Sequence, residues 1–334
     1  MAKRAGVAPI TVSRVINKSG YFSEDVRARV QAAIGELGYV PNSLARSLRS
    51  KRTNTLALVV TDITNPFFTM IARGVEDEAS EAGFTVIFCN TDESEDKEKK
   101  YLDMLLQKQV DGILLVPARS TSQPVKLTGS QNTPVVVLDR RIPGIAADVV
   151  RCDSESGAYQ LTRILLELGH RRIGMLTGPR QVSTAVDRVA GYQKAMRDAG
   201  LNDLADLILF GEYNEDDGFR MARQMLSLDP RPTGLVAANN FIAIGAIKAV
   251  RELGLRIPED VALVAFDDLP QALVISPFIT VVAQPGYDMG RRAVQLLLDR
   301  LSGKVGGGFQ EVIFPTQVVL RKSSGEPVAN SIPR

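Results

Sequence analysis

The 334-residue chain has no tryptophan, one histidine and two cysteines, and only 6% of it is aromatic. Two cysteines in a chain this long match no disulfide framework or metal-ligand spacing, and suit a reducing compartment. The lone histidine, His170 in LGHRRIG, is a poor general base or metal ligand without a second one, and a structural role suits it better. No apolar run is long enough to span a bilayer and no export signal is present, which points to the cytoplasm and away from a membrane partner. Gly306 to Gly308 form a bare glycine run lacking the residues of a phosphate cradle, so a flexible loop is expected there. Neither a nucleophile–base pair nor a cofactor fingerprint stands out. The expectation is therefore a non-enzyme with no catalytic residues, no metal and no cofactor, although architecture alone does not exclude an enzyme.

What is present is an asymmetry of charge. Up to Arg52 the chain carries ten Lys and Arg against three Asp and Glu, a net of +7, and the other 282 residues carry 30 against 35, a net of −5. A positive field on a short helical module suits a polyanion, because each phosphate neutralised releases condensed counterions. A solvated charged face is the plainer alternative. Within this module Ala2 to Ala5 reads as the end of a helix stopped by Gly6, and Pro9 as the first turn of the next. Val12, Val15 and Ile16 share one face of that second helix; Thr11, Ser13, Arg14 and Asn17 lie largely off it. A third helix is expected from Glu24 to Leu37, between Ser23 as N-cap and Gly38, with Val26, Val30, Ala33, Ile34 and Leu37 packing on the first two. This is the helix-turn-helix plan, whose second helix enters a major groove.

Beyond it, short continuous apolar runs alternate with helical patterns: 56–60, 86–89, 113–116, 135–138, 173–176, 207–210, 235–238 and 261–266. Continuous apolar strands indicate parallel sheets covered on both faces. Gly74 with Ala82-Gly83 recurs as Gly191 with Ala199-Gly200 at an offset of 117, a weak internal repeat that suggests two similar sheets facing across a cleft. Asp62, Asn90, Asp139, Asn239 and Asp267 each follow a strand, where open parallel sheets bind ligands. Each alone is as well read as a cap or turn residue.

The segments AGVAPITVSRVIN, GYVPNSLARSLRS and TNPFF resemble the LacI/GalR family of bacterial transcriptional regulators, and the similarity runs over almost the entire chain. The resemblance implies an all-α helix-turn-helix headpiece plus an α/β core of two doubly wound parallel-sheet lobes, like periplasmic binding proteins of type I. It places a DNA-binding headpiece at 1–41, a hinge helix and linker at 42–52, and an effector-binding and dimerisation core at 53–325. Within the core the N-lobe falls near 53–152 and 284–314, the C-lobe near 153–283 and 315–325, and 326–334 is a tail. Carried over by position, Thr11, Ser13 and Asn17 would touch phosphates and Arg14 a base edge. Pro9 and Ile10 would read thymine methyl groups or shape. Asn42 would cap the hinge helix, Ala45 would let paired hinges approach beside Arg46, and Leu48 would wedge a minor-groove step. Asp139, Arg188, Asn239 and Asp267 would be polar contacts to the effector, with Phe67, Phe68 and Tyr213 as apolar faces; Phe67 could instead be plain core.

Met1 falls where the family usually has valine, so the first helix is expected to be cut short and DNA binding weakened if the chain truly starts there. The implied function is a ligand-responsive repressor, a homodimer on a pseudo-palindromic double-stranded operator, with a sugar or sugar derivative as effector. A purine or other non-sugar effector is the alternative, and a solute-binding protein a more distant one. The tail after Leu320 has no heptad pattern, so no tetramerising helix is expected.

Overall fold

The computed structural model describes residues 1–16, 19–39, 52–120, 133–203, 205–270, 277–304 and 307–325. They form two compact units, Met1–Thr53 and Asn54–Arg334.

In the first unit, α1 (Ala2–Ala5) stops at Gly6 in the left-handed conformation, and α2 (Pro9–Ile16) starts on its proline. The longer α3 (Glu24–Leu37) opens on Ser23, whose hydroxyl accepts the Val26 N–H, with Glu24 and Asp25 complementing the helix dipole. It closes at Gly38, φ 55°, where Tyr39 N–H returns to Ile34 O at 3.1 Å. Ala5, Val12, Val15, Val30 and Ala33 form a small buried core, flanked by half-buried Val26 and Ile34. Leu37 does not join it. It is 53% exposed, because the last turn of α3 from Gly35 to Gly38 is solvated throughout.

The second unit holds two six-stranded sheets. The first has the order β11-β5-β4-β3-β1-β2, from β1 (Thr55–Val60), β2 (Thr85–Asn90), β3 (Gly112–Leu115), β4 (Val135–Leu138), β5 (Asp148–Cys152) and β11 (Glu311–Phe314). The second has the order β12-β10-β9-β8-β6-β7, from β6 (Ile173–Thr177), β7 (Ile208–Phe210), β8 (Gly234–Ala237), β9 (Ala262–Phe266), β10 (Thr280–Ala283) and β12 (Gln317–Val319). Every pairing is parallel except β10 with β12. The chain passes between sheets after Cys152, after Ala283 and after Phe314. Central strands β3, β4, β6, β8 and β9 are buried at every residue, which is why they read as unbroken apolar runs.

Helices cover both faces: α4 (Pro66–Glu81), α5 (Glu95–Gln107) and α10 (Gly286–Leu301) on the first sheet, α6 (Ser154–Glu167), α7 (Ser183–Asp198), α8 (Glu215–Leu226) and α9 (Asn240–Glu252) on the second. The internal repeat is structural, since α4 and α7 match end to end at the offset of 117. Gly74 and Gly191 are where each crosses a neighbouring helix. A Cβ there would stand 2.1 Å from Tyr287 O and 2.0 Å from Glu155 O, respectively. Among the described residues no helix is long and apolar enough to cross a membrane.

Candidate functional site

Asp139 and Asp267 stand one residue beyond β4 and β9, one in each lobe. Both hold left-handed backbones (φ 63° and 62°), and each N–H is tied to the neighbouring strand, at Val150 O (2.8 Å) and Val282 O (2.9 Å). Left-handed backbone is unfavourable for a residue with a Cβ, though aspartate tolerates it better than most. Such strain persists where the surroundings over-determine it. Both side chains line one cavity of about 440 Å³, counting the part open to solvent. Phe67, Phe68, Asp139, Arg188, Tyr213, Asn239 and Asp267, the seven residues proposed from sequence for a ligand, all lie on its wall.

Each is positioned by local chemistry. Asn65 caps α4 by accepting the Phe67 N–H at 3.1 Å, and Pro66 follows at N1, so the two phenylalanines enter the cavity from the first turn. Their rings sit 5.1 Å apart and tilted by 56°. Arg188, on α7, lays its guanidinium 4.0 Å over Phe266 and donates Nη1 to Ala238 O at 2.5 Å. Its buried Nε has no partner among the described residues. Tyr213 packs its ring on Gly178, where a Cβ would come within 2.3 Å, and places its hydroxyl 3.3 Å from Thr184 Oγ1. Asn239 caps α9 through Oδ1 to Ile242 N–H at 2.8 Å, which leaves its amide nitrogen for the cavity. Asp267 accepts from Gln284 Nε2 at 2.9 Å. Burial pushes its carboxyl up to about 6 against the pull of Arg188. Burial likewise raises Asp139 and the Tyr213 hydroxyl.

The wall also holds residues that sequence reasoning passed over: Asn65, Glu93, Arg140, Thr184, Phe241 and Gln284. Two had a usable signal, since Arg140 adjoins Asp139 and Thr184 lies one helical turn before Arg188. Gln284 follows β10, which is too short to announce itself. Asp62, noted as a strand-end residue, lines the cavity, whereas Asn90 does not. Its side chain ties the neighbouring loop, accepting from Ile63 N–H at 2.9 Å and donating to Asp92 at 2.6 Å. Bonds between the lobes flank the cavity: Asn240 Nδ2 to Asn65 Oδ1 (3.0 Å), Ser183 N–H to Ser120 Oγ (2.8 Å) and Arg141 N–H to Ser183 Oγ (2.7 Å). His170 holds Thr233 Oγ1 through Nδ1 at 2.9 Å, a structural contact between a helix end and a strand.

On the first unit, Pro9, Ile10 (56% exposed) and Arg14 are open to solvent on α2, and Thr11 and Ser13 are half-buried. Val12 and Val15 turn inward. Asn17, Asn42, Ala45, Arg46 and Leu48, also proposed for DNA, lie outside the described residues.

The model for bacterial regulatory proteins of the lacI family matches residues 1–42, and that for periplasmic binding proteins and the sugar binding domain of the LacI family matches residues 53–313. The chain belongs to the LacI family. The ribose operon repressor of Halalkalibacterium halodurans is 38% identical over 97% of this chain and 96% of its own. The transcriptional repressor PurR of Proteus mirabilis is 38% identical over 91% of this chain and 90% of its own. The lac repressor dimer bound to operator superposes with a TM-score of 0.85 at 27% identity, covering 97% of each chain. These LacI-family relatives are transcriptional repressors rather than enzymes. In this LacI-family chain the outward face of α2 and the cavity between the sheets are thus the two places where function is to be sought.

Proposed function

We propose that this chain is an operator-binding repressor, acting as a dimer, whose DNA affinity is set by a small uncharged sugar held between the two lobes. The observation that carries the reading is the makeup of the cavity. Carboxylates from both lobes, and the buried Nε donors of Arg140 and Arg188 that have no partner among the described residues, share its wall with the Phe67 and Phe68 rings. Hydroxyls on a ring need convergent donors and acceptors around apolar faces. A ligand touching both lobes has a different affinity for each lobe arrangement, which is the condition for shifting an equilibrium between them. The similar protein from H. halodurans is named for a ribose operon, so D-ribose is the first sugar to try. Pro9, Ile10, Thr11, Ser13, Arg14, Asn17, Asn42, Ala45, Arg46 and Leu48 are the residues proposed for the operator.

The test is a thermal-shift titration with D-ribose and, because PurR is equally similar, with a purine base. Operator DNA selected by the protein from a random pool is then bound with and without the active ligand. D-ribose is expected to raise Tm and to change operator affinity. Replacing Asp267 by Asn should weaken sugar binding by about 10- to 100-fold, the worth of a charged hydrogen bond. A shift with the purine alone would replace the sugar reading.

A further inference from the structure

Arg140 is the most deeply buried charge on the cavity wall, its side chain 2% exposed. Nη1 donates to Glu93 Oε2 (2.7 Å), Pro117 O (2.7 Å) and Ala118 O (2.8 Å), and Nη2 donates to Glu93 Oε1 (2.5 Å). That two-pronged pairing fixes the guanidinium plane and cancels its charge. Of its three nitrogens only Nε has no hydrogen-bond partner among the described residues, and it lies 3.8 Å from Asp139 Oδ2. Glu93 is itself held firmly. Asp92 and Glu93 take consecutive left-handed backbones (φ 51° and 58°), and Glu93 N–H bonds Thr61 O at 3.3 Å. Its outer side faces Arg119 at 3.5 Å, and Arg119 reaches Glu212 of the other lobe at 3.4 Å.

One neutralised N–H matches a hydroxyl oxygen. A phosphate or carboxylate in the same place would meet Glu93, Asp139 and Asp62, and the other arginine on the wall among the described residues, Arg188, already has its charge set against the two carboxylates Asp139 and Asp267. We propose that Glu93 is the specificity-determining residue of the cleft: it positions Arg140 Nε for a hydroxyl and cancels the charge that would otherwise capture a phosphorylated or carboxylated sugar. The assignment deepens, and rests on, the sugar reading given above.

The test compares the full-length chain with Glu93→Gln and Glu93→Asp, using D-ribose, D-ribose 5-phosphate and inorganic phosphate in calorimetric titrations and thermal shifts. The unmodified chain is expected to prefer D-ribose over its phosphate by about 100-fold and to ignore millimolar phosphate. Glu93→Gln should weaken D-ribose, narrow that preference by about tenfold or more, and gain a phosphate-dependent rise in Tm as the uncompensated Arg140 recruits an anion. Glu93→Asp, which keeps the charge and is the gentler change, should still reject the ester even where it binds D-ribose less well. Equal acceptance of the ester by the unmodified chain would overturn the assignment. So would an unchanged preference in Glu93→Gln, or a Glu93→Asp chain that admits the ester as readily. If D-ribose leaves the unmodified chain unmoved, the sugar reading fails on its own. The phosphate response of Glu93→Gln then decides Glu93: its appearance upholds the charge gate and its absence removes it.

Discussion

Behind the cavity, Glu98 of α5 is 2% exposed, and its Oε2 accepts the Ala118 N–H at 2.6 Å. The same Ala118 gives its carbonyl to Arg140, so this carboxyl fixes the backbone that fixes the arginine. Burial pushes Glu98 up to about 7, although the Ala118 bond and Arg140 pull it down. A carboxyl whose folded value exceeds its unfolded one binds more protons in the folded state. Its contribution is therefore favourable in acid and is lost as pH rises from about 4.5 through about 7. Glutamine keeps the oxygen acceptor and never ionises. Glu98→Gln should consequently raise Tm above that of the unmodified chain at pH 8, by an amount on the order of 2–3 kcal/mol in stability, with the gain shrinking toward pH 5. Scanning calorimetry at both values checks this, and an equal difference at both would refute it. No pattern in EDKEKKYLDML marked Glu98 as buried, because its neighbours on α5 are charged and solvated. By contrast Asp139 and Asp267 were legible, since their place after an apolar strand is a matter of chain order.

Elements were legible in proportion to how uniformly they are buried. All eight apolar runs coincide with strands to within one residue at an end, whereas β5, β10, β11 and β12 escaped notice. DVVRC and EVIF carry charges inside the strand, and TVVA and QVV are too short to stand out. β2 shows the converse: its apolar run forms an edge strand, and Phe88 is 46% exposed. Helix crossings were legible only through the glycine repeat, which named the positions without giving the reason. That reason predicts opposite outcomes for one substitution in two helices. Gly191→Ala puts a methyl group 2.0 Å from the Glu155 carbonyl, so α6 and α7 must part, at a loss of about 1–3 kcal/mol or more. Gly35→Ala in the last turn of α3 meets nothing within 4 Å and should add about 0.5–1 kcal/mol by reducing the freedom of the unfolded chain. Urea unfolding of the two variants reads both, and a loss at Gly35 would mean that helix termination there needs glycine.

At the scale of the whole molecule the proposed repressor must obey linkage. If sugar changes operator affinity, operator must change sugar affinity, because both routes connect the same four states. Couplings of this kind typically amount to about 5- to 150-fold. Assembly determines how the factor is shared. A two-fold symmetric dimer binds one pseudo-palindromic operator but carries two sugar sites. The full change in operator affinity is then divided over two binding events, and each site shifts by the square root of that change. A coupling of about 100-fold at the operator thus corresponds to about tenfold at each cleft, whereas a monomer on a half-site would show equal factors. Fluorescence anisotropy of labelled operator with and without saturating D-ribose gives the first factor. Calorimetric titration of D-ribose into free and operator-bound protein gives the second. The square-root relation is the expected result. Equal factors would count against the dimer, and a shift at the operator with none at the cleft would place the active sugar site elsewhere than between the lobes.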